Sequence, residues 1–336
     1  MQIQQNISLR QYNTFGIDVR AKSFSSFRTQ EQLNELISAH SKLPVFILGG
    51  GSNILFIKNY DGLILKNEIT GIDLIKEDAN HVYVKVGAGE NWHRLVQYTL
   101  YRNWAGLENL SLIPGNVGAS PMQNIGAYGV EIKEVFDELE AFHIKDKKIH
   151  VFSVNDCEFG YRESVFKKKY RDKFVILNVT YRLNKKPHFN ISYGALEEEL
   201  ENMQVKKLSI QAISQAVINI RSSKLPDPNK IGNAGSFFKN PEITQTRYKK
   251  LRSSFPGIIG YPLQNGGVKL AAGWLIEQCG WKGVRRGDAG CHAKQALVLV
   301  NYGNASGNEV FSLSEEIVKS VREKFGIVLQ REVNVI

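Results

Sequence analysis

Asn109-Leu-Ser-Leu-Ile-Pro-Gly-Asn-Val-Gly-Ala-Ser-Pro-Met-Gln-Asn-Ile-Gly-Ala-Tyr-Gly-Val130 carries no charge over 22 residues, in a chain of which 23% is charged. Its glycines (Gly115, Gly118, Gly126, Gly129) and prolines (Pro114, Pro121) exclude an ordinary helix and a simple membrane span. Such a segment offers backbone. Glycine lets N–H groups approach a ligand closely, and an uncharged lining suits a buried ring system that carries phosphates. A buried glycine-rich turn between core strands has the same composition, so the segment alone leaves both readings open.

Upstream, the apolar run Leu43-Pro-Val-Phe-Ile-Leu48 reads as a buried strand and opens into Gly49-Gly50-Gly51-Ser52-Asn53. Ile54-Leu-Phe-Ile57 follows as a second strand. Strand, glycine cluster, strand makes a plausible pyrophosphate cradle, because successive free N–H groups form an anion nest. It is not a P-loop, since no Lys-Ser/Thr pair follows, nor a Rossmann fingerprint, which needs a helix after the last glycine. Gly87-Ala-Gly89 has only two glycines of that pattern and reads as a turn between Val82–Val86 and a helix.

The 336 residues suffice for two or three domains with substantial cores. Met1-Gln-Ile-Gln-Gln-Asn6 has neither a basic nor an apolar leader region, so no signal peptide is expected, and no apolar run is long enough to span a membrane. Cys157, Cys279 and Cys291 are an odd number without a close pair, which argues against disulfides and zinc and fits a reducing cytoplasm. The net charge of +10 suits nucleic acid or a small polyanion such as a nucleotide sugar. The basic clusters Lys145–Lys148, Lys167–Arg171 and Lys185-Lys186 are short and scattered, and read as solvated surface.

Along the chain, helices are expected at Glu31–Ala39 and Trp92–Arg102, and strands around Leu139–Ile144, Lys148–Ser153 and Phe174–Leu183. Lys207–Ser223 carries a helical apolar stripe that stops at Lys224-Leu-Pro-Asp-Pro228, the clearest domain boundary. Beyond it come a helix at Ala271–Cys279, a strand at Ala296–Val300 and a last helix. Ser312 and Glu315 form a capping-box pattern for that helix, Gly326 ends it, and Ile327–Ile336 reads as a terminal strand.

Three polar positions stand out, each with a plain alternative. Arg162, in Gly160-Tyr-Arg-Glu-Ser164, follows a tyrosine between strands, and surface decoration would explain it alone. Ser236 lies between Gly235 and two phenylalanines, a setting for a desolvated proton donor or for a turn serine. Glu332 sits near the end of an apolar run, as a buried carboxylate or an exposed alternating position. No Ser/His/Asp order, GxSxG motif or metal-ligand cluster appears, and His93, His143, His150 and His292 read as satisfied structural histidines.

Taken together the chain resembles the UDP-N-acetylenolpyruvoylglucosamine reductase family. The matching elements are Asn13-Thr-Phe-Gly-Ile-Asp18, Gly49–Asn53, Ile113–Gly129, Gly160–Phe166, Lys224–Pro228, Gly232–Pro241 and Glu332. The resemblance implies an α+β chain with the FAD-binding fold of the vanillyl-alcohol-oxidase type, in two FAD-binding subdomains plus a smaller α/β substrate domain. The corresponding expectation is residues 1–70 with strand 327–336 returning to them, then 71–223, then 224–326.

It implies further that non-covalent FAD relays a hydride from NADPH to the enolpyruvyl ether of a UDP-sugar, in peptidoglycan precursor synthesis. Ser236 would give the proton, while Arg162 and Glu332 steady the enolate. FAD would contact Gly49, Gly50, Gly51, Ser52, Asn53, Ile113, Pro114, Gly115, Gly118, Ser120, Asn124, Gly126 and Arg221. The UDP-sugar would contact Tyr161, Tyr193, Lys224, Asn240, Lys282 and Gln295, with Tyr193 clamping the phosphates. No metal, nucleic acid, membrane or obligate protein partner is implied.

Two departures stand out against the family: Arg331 where proline is common, which implies a loosely held terminus, and Ala119 where a hydroxyl sometimes contacts an FAD phosphate. A sugar or alcohol oxidase of the same fold is the alternative; many such enzymes tether FAD through His or Cys, and no histidine lies near either glycine island in sequence. A basic nucleotide- or nucleic-acid-binding protein without redox activity is the third reading.

Overall fold

Residues 3–336 are described by a computed structural model, and its tertiary contacts divide between two units. One runs up to Ile7 and takes in Ala21–Gly50 and Tyr60–Ser223; the other takes Ser8–Arg20, Gly51–Asn59 and Lys224–Ile336.

In the first unit a four-stranded sheet has the order Gln4–Ser8, Arg20–Phe27, Tyr60–Asn67, Val45–Leu48. The last three strands are parallel neighbours, and helix α1 (Gln30–Ala39) covers them through Leu33, Leu36 and Ile37. Thr29 starts α1 by accepting the Gln32 N–H. An antiparallel five-stranded sheet follows, in the order Lys148–Ser153, Phe136–His143, Phe174–Asn184, His81–Gly87, Ile72–Glu77. Its inward face packs on α2 (Trp92–Tyr101), capped by Asn91, around Val84, Val86, Trp92, Leu95, Val179 and Tyr181. Two further helices, α3 (Gly194–Asn202) and α4 (Ile210–Lys224), share a small core built from Leu196, Leu200, Ile213, Val217 and Ile220.

The second unit has a sheet in the order Gly232–Ser236, Val298–Asn301, Ala289–Cys291, Arg285–Arg286, and a smaller one built from Glu242–Thr244, Gly267–Leu270 and Gly260–Pro262. Its helices are α5 (Gln245–Ser254), α6 (Ala272–Gln278) and α7 (Gly307–Phe325). Fully buried Phe15, Phe56, Phe237 and Phe238 lie in its core.

Several expectations need correction. The last helix starts earlier than Ser312: Ser306 and Glu309 form the capping box, in an earlier Ser-x-x-Glu frame. Gly307 follows Ser306 because an added Cβ would run into the Phe56 carbonyl. Gly326 does end the helix, at φ 66°. Ile327–Ile336 is not one strand, because the segment changes partner at Val333. Residues 330–332 pair with 237–239, and Asn334–Val335 pairs in parallel with Ile54–Leu55. The division into 1–70, 71–223 and 224–326 also differs from the two units. Residues 8–20 and 51–59 contact the C-terminal part of the chain, and the break falls between Ser223 and Lys224. Among the described residues no helix is long and apolar enough to cross a membrane.

Candidate active site

The two glycine islands meet inside the first unit. A Cβ added to Gly50 would lie 2.9 Å from the Gly115 Cα and 2.8 Å from Asn116 Oδ1. No side chain fits there, so bare backbone from both islands is brought to one place. The second island rests on the Gly87–Gly89 turn. The Val117 N–H donates to the Glu90 carbonyl and the Gly118 N–H to that of Ala88, both at 2.9 Å, and Asn116 Nδ2 donates to the Gly89 carbonyl at 2.8 Å.

Non-glycine residues in the uncharged segment are held in the left-handed region: Leu112 (φ 59°), Asn124 (φ 45°) and Tyr128 (φ 49°). Such conformations persist only where surroundings enforce them, and they cluster at ligand sites. The Leu112 N–H donates to His93 Nδ1 at 3.0 Å. A histidine does lie against this island in space, which corrects the expectation drawn from sequence distance. Burial and the nearby Arg221 charge hold the His93 pKa down, so it accepts as a neutral ring.

Asn124 is 0% exposed; its Nδ2 donates to Glu131 Oε2 and the Gly160 carbonyl, and its Oδ1 accepts the Lys133 N–H. Ser120 is likewise buried, its hydroxyl 2.7 Å from that of Tyr181. The side chains of both are engaged within the protein and brace the segment. Ile113 is half-buried and Pro114 exposed, and Ala119 is exposed without a hydroxyl.

Arg162 (φ 54°) projects from the Gly160–Glu163 turn, stacks on Tyr161 at 5.3 Å and donates to the carbonyl of Gly126. Ser164 fastens the same turn by donating to the Met122 carbonyl at 2.7 Å. Arg162 is thereby fixed against the uncharged segment, not loose on the surface.

Arg221, on α4, points its guanidinium at Tyr128; its Nε is buried with no partner, although part of the side chain remains accessible. Burial draws the Arg221 pKa down and the Tyr128 hydroxyl partly offsets this. A buried cation with an orphaned donor, beside a backbone cradle that excludes any Cβ, fits an anionic, planar cofactor such as FAD. Tyr193, 45% exposed, packs edge-to-face on Tyr128 with centroids 5.3 Å apart.

In the second unit Ser236 is exposed at the end of its strand, between Gly235 (φ 68°) and the buried Phe237. The Glu332 N–H donates to the Phe237 carbonyl at 2.8 Å, which brings the serine and the carboxylate into neighbouring segments. Arg331 is no loose substitute for proline: its Nε donates to Ser314 Oγ at 2.9 Å, its guanidinium pairs with Glu315, and it stacks on Phe311. That pairing also occupies the glutamate expected to cap α7.

Asn53 Nδ2 donates to the Glu332 carbonyl at 3.3 Å, and the Asn53 carbonyl accepts the Asn334 N–H. Gly51 (φ 63°) packs on the Tyr12 carbonyl, where only glycine fits, and Ser52 next to it is half-buried. Asn240 Oδ1 accepts the Ala272 N–H at the start of α6, and Gln295 Oε1 lies against Gly273 there. Lys282, by contrast, pairs with Glu277 at the other end of that helix, and Lys224 is exposed.

Two histidine expectations change. His292 Nδ1 is buried without a partner, so it is not a satisfied histidine. His143, Asp146 and His150 come together on one hairpin with ligand atoms within 4.8 Å, the one potential metal group among the described residues. His143 Nδ1 already bonds Asp146 Oδ2 at 2.9 Å, and Lys148 lies cross-strand from His143. An ammonium beside the trio opposes a second cation, and we assign no metal to it. Two basic clusters are also less scattered than their sequence positions imply. Lys145–Lys148 and Lys167–Arg171 share one end of the five-stranded sheet, where the Ile144 N–H donates to the Lys173 carbonyl.

Residues 23–152 match the FAD binding domain family, and residues 227–336 match the UDP-N-acetylenolpyruvoylglucosamine reductase C-terminal domain family. A reductase of that name from Amoebophilus asiaticus is 51% identical over 339 residues, covering all of both chains, and one from Flavobacterium johnsoniae is 48% identical, again over both whole chains. This chain belongs to the UDP-N-acetylenolpyruvoylglucosamine reductase family. The solved reductase of Thermus caldophilus overlays on 100% of it, and on 99% of that chain, with a TM-score of 0.71 at 25% identity. The fold is accordingly the FAD-binding fold of the vanillyl-alcohol-oxidase type, α+β, as the resemblance implied.

Sequence reasoning passed over Asn109, Asn116 and Tyr128 as individual site residues. Each lies inside or beside the uncharged segment, and an Asn or Tyr bordering glycines in such a stretch was the available signal.

Proposed function

We propose that this chain is the NADPH- and FAD-dependent enzyme that reduces UDP-N-acetylglucosamine enolpyruvate to UDP-N-acetylmuramate, a step of peptidoglycan precursor synthesis. The observation that carries the reading is the unbroken relationship to these reductases over the full chain, at 51% identity. An oxidase of the same fold has no comparable support.

FAD, when bound, would supply the redox chemistry, the relay of a hydride from NADPH to the β-carbon of the enolpyruvyl ether. The backbone of Gly49–Asn53 and of Gly115–Gly118 is assigned to its pyrophosphate and ring, and Arg221 to its negative charge. The chain's own side chains handle charge and the proton. Electrons arriving at the β-carbon leave negative charge on the α-carbon, delocalised into the substrate carboxylate. Arg162 and Glu332 are assigned to hold that charge. Ser236 delivers one proton to the α-carbon and regains it from solvent. A serine is a weak acid, so it suits this task only as a positioned donor to a strongly basic carbon.

Tyr193, Tyr161, Lys224, Asn240, Lys282 and Gln295 are assigned to the UDP-sugar, with Tyr193 on the phosphates. NADPH has no recognised cradle of its own, and we assign it to the site that the UDP-sugar occupies in turn. We place the reaction in the cytoplasm, where its nucleotide substrates are made and where three free thiols stay reduced.

The test is the visible absorption of the protein under anaerobic conditions, with NADPH added first and the enolpyruvyl sugar second. Bleaching followed by return of colour establishes the cycle. Return only on admitting oxygen indicates an oxidase, and no flavin band at all leaves a redox-inactive binding protein.

A further inference from the structure

We propose that Asn233 is a positioning residue for the proton donor Ser236, acting through the β-bulge that separates them. The inference rests on the assignment of Ser236 to the proton.

The strand Gly232–Ser236 pairs antiparallel with Val298–Asn301, with Asn233 opposite Val300 and Ser236 opposite Val298. Between those two pairs the first strand carries one residue more than its partner, which makes a bulge. Side chains alternate along a strand, so one inserted residue exchanges the side that each later residue faces. The bulge therefore decides where Ser236 presents its hydroxyl.

Asn233 builds this bulge. It is 3% exposed, and its side-chain oxygen and amide nitrogen are both engaged. Its Oδ1 accepts the Gly235 N–H at 3.0 Å, and its Nδ2 donates to the Ile231 carbonyl at 2.8 Å and the Pro226 carbonyl at 3.2 Å. Its backbone N–H donates to the Thr14 carbonyl at 3.0 Å. The bond to Gly235 closes an Asx turn around a glycine held at φ 68°. Past the serine, the Phe237 N–H donates to the Leu297 carbonyl at 2.8 Å, and the Phe237 side chain is fully buried. Ser236, itself exposed, is thus carried between two fixed points.

The physical argument is one of aim. A serine has a single heavy-atom torsion, so the backbone on either side of it sets where its hydroxyl can reach. Proton delivery needs that hydroxyl in line with the α-carbon, and a misplacement of about 1 Å costs on the order of 10²-fold. Without the Asn233 amide the Gly235 N–H loses its acceptor, and a glycine that accepts either sign of φ is free to leave the left-handed turn.

A double-mutant cycle on flavin-loaded full-length protein tests this, with the parent, Asn233→Ala, Ser236→Ala and the double variant. Stopped-flow absorbance follows bleaching by NADPH and recoloration at saturating UDP-N-acetylglucosamine enolpyruvate. Asn233→Ala slows recoloration by about tenfold to a hundredfold, while bleaching and the dissociation constant of the sugar stay at the parent's values. In the Ser236→Ala background the same substitution has no further effect on recoloration, because there is no hydroxyl left to aim.

If Ser236→Ala slows recoloration selectively and Asn233→Ala does not, the proposal is overturned while the donor role of Ser236 survives. If Ser236→Ala has no selective effect, the donor role fails and the proposal with it. Slowing by Asn233→Ala that is equal with and without Ser236, or that extends to bleaching, makes Asn233 a general folding residue and overturns the proposal too. Should Asn233→Ala not fold, Gly235→Ala strains the same bulge through its left-handed φ, with nothing within 4 Å of the added Cβ. A smaller slowing of recoloration that vanishes without Ser236 supports the proposal, and no slowing overturns it.

Discussion

The backbone N–H of Glu332 donates to the carbonyl of Phe237 at 2.8 Å, one residue beyond Ser236. Two side chains assigned to opposite tasks, holding negative charge and releasing a proton, are therefore set by one short ladder that joins residues 237–239 to 330–332. Ser236 stands in the slot after a left-handed glycine, and Glu332 in the segment that Arg331 anchors to α7.

Ser236→Ala should leave bleaching by NADPH intact and slow recoloration by the enolpyruvyl sugar. The expected loss is about 10²–10⁴-fold, the usual contribution of positioned proton transfer. Stopped-flow absorbance on each half-reaction separates the two, and equal slowing of both would remove Ser236 from the donor role.

Arg331→Ala cuts the hold of α7 on the terminal segment without touching Glu332 itself. We expect the sugar half-reaction to slow by about tenfold or more, since small misplacements of a reacting group are costly, while flavin content is retained. A variant with the parent's rate in that half-reaction would show that the ladder alone places Glu332.

Gly50→Ala would put a methyl group 2.9 Å from the Gly115 Cα. Relieving that contact parts the islands, at the cost of about 1–3 kcal/mol typical of overpacking, so FAD affinity should fall by roughly tenfold to a hundredfold. Titration of apo-protein with FAD measures it. Unchanged affinity would mean that the cofactor does not lie where the islands meet.

Arg221→Met should act in opposite directions on two quantities. The apo-protein is expected to unfold at the same or a higher temperature, because a buried cation with an unmatched donor is replaced by an apolar chain. FAD binding should weaken. Thermal unfolding of apo-protein and FAD titration together decide it; loss of apo-protein stability would mark Arg221 as a structural residue instead.

His93 makes stability depend on pH with a definite sign. Its folded pKa lies below the ordinary value of 6.5, from burial first and the Arg221 charge second. The unfolded chain then takes up a proton at a pH where the folded chain does not. The contribution is complete above the unfolded pKa and is lost as pH falls through the folded one. His93→Gln keeps a neutral acceptor for the Leu112 N–H. Its melting temperature should fall less than the parent's between about pH 7 and pH 5.5, a range that brackets an ordinary histidine. Parallel curves for the two proteins would assign the acid sensitivity to another group, of which His292, also held low by burial, is the first to examine.

What the amino-acid sequence determined by itself was local chemistry. Gly49-Gly50-Gly51 and the run from Asn109 to Val130 announced closely approachable backbone, since glycines without side chains recur through both. Apolar periodicity placed α1, α2, α4 and the strands near 82–86, 148–153 and 174–183 to within a few residues. Motif order pointed to the family, and with it to Arg162, Ser236 and Glu332. Even within local chemistry one frame was misplaced: Ser312 and Glu315 read as the cap, but Ser306 also heads a Ser-x-x-Glu, and contact of Gly307 with Phe56 goes with that one.

Tertiary structure decided what meets what. That Gly50 touches Gly115, that the terminal segment changes partners at Val333, and that Asn109 holds a carbonyl 81 residues away all follow from sheet order and loop packing. A hydrogen bond across such a separation leaves no periodic trace in either segment, because each partner needs only a carbonyl or an amide that every residue already carries. The same holds for His93 and Arg221. Their composition is ordinary, and only burial beside the uncharged segment turns one into a neutral acceptor and the other into a cation with a donor to offer.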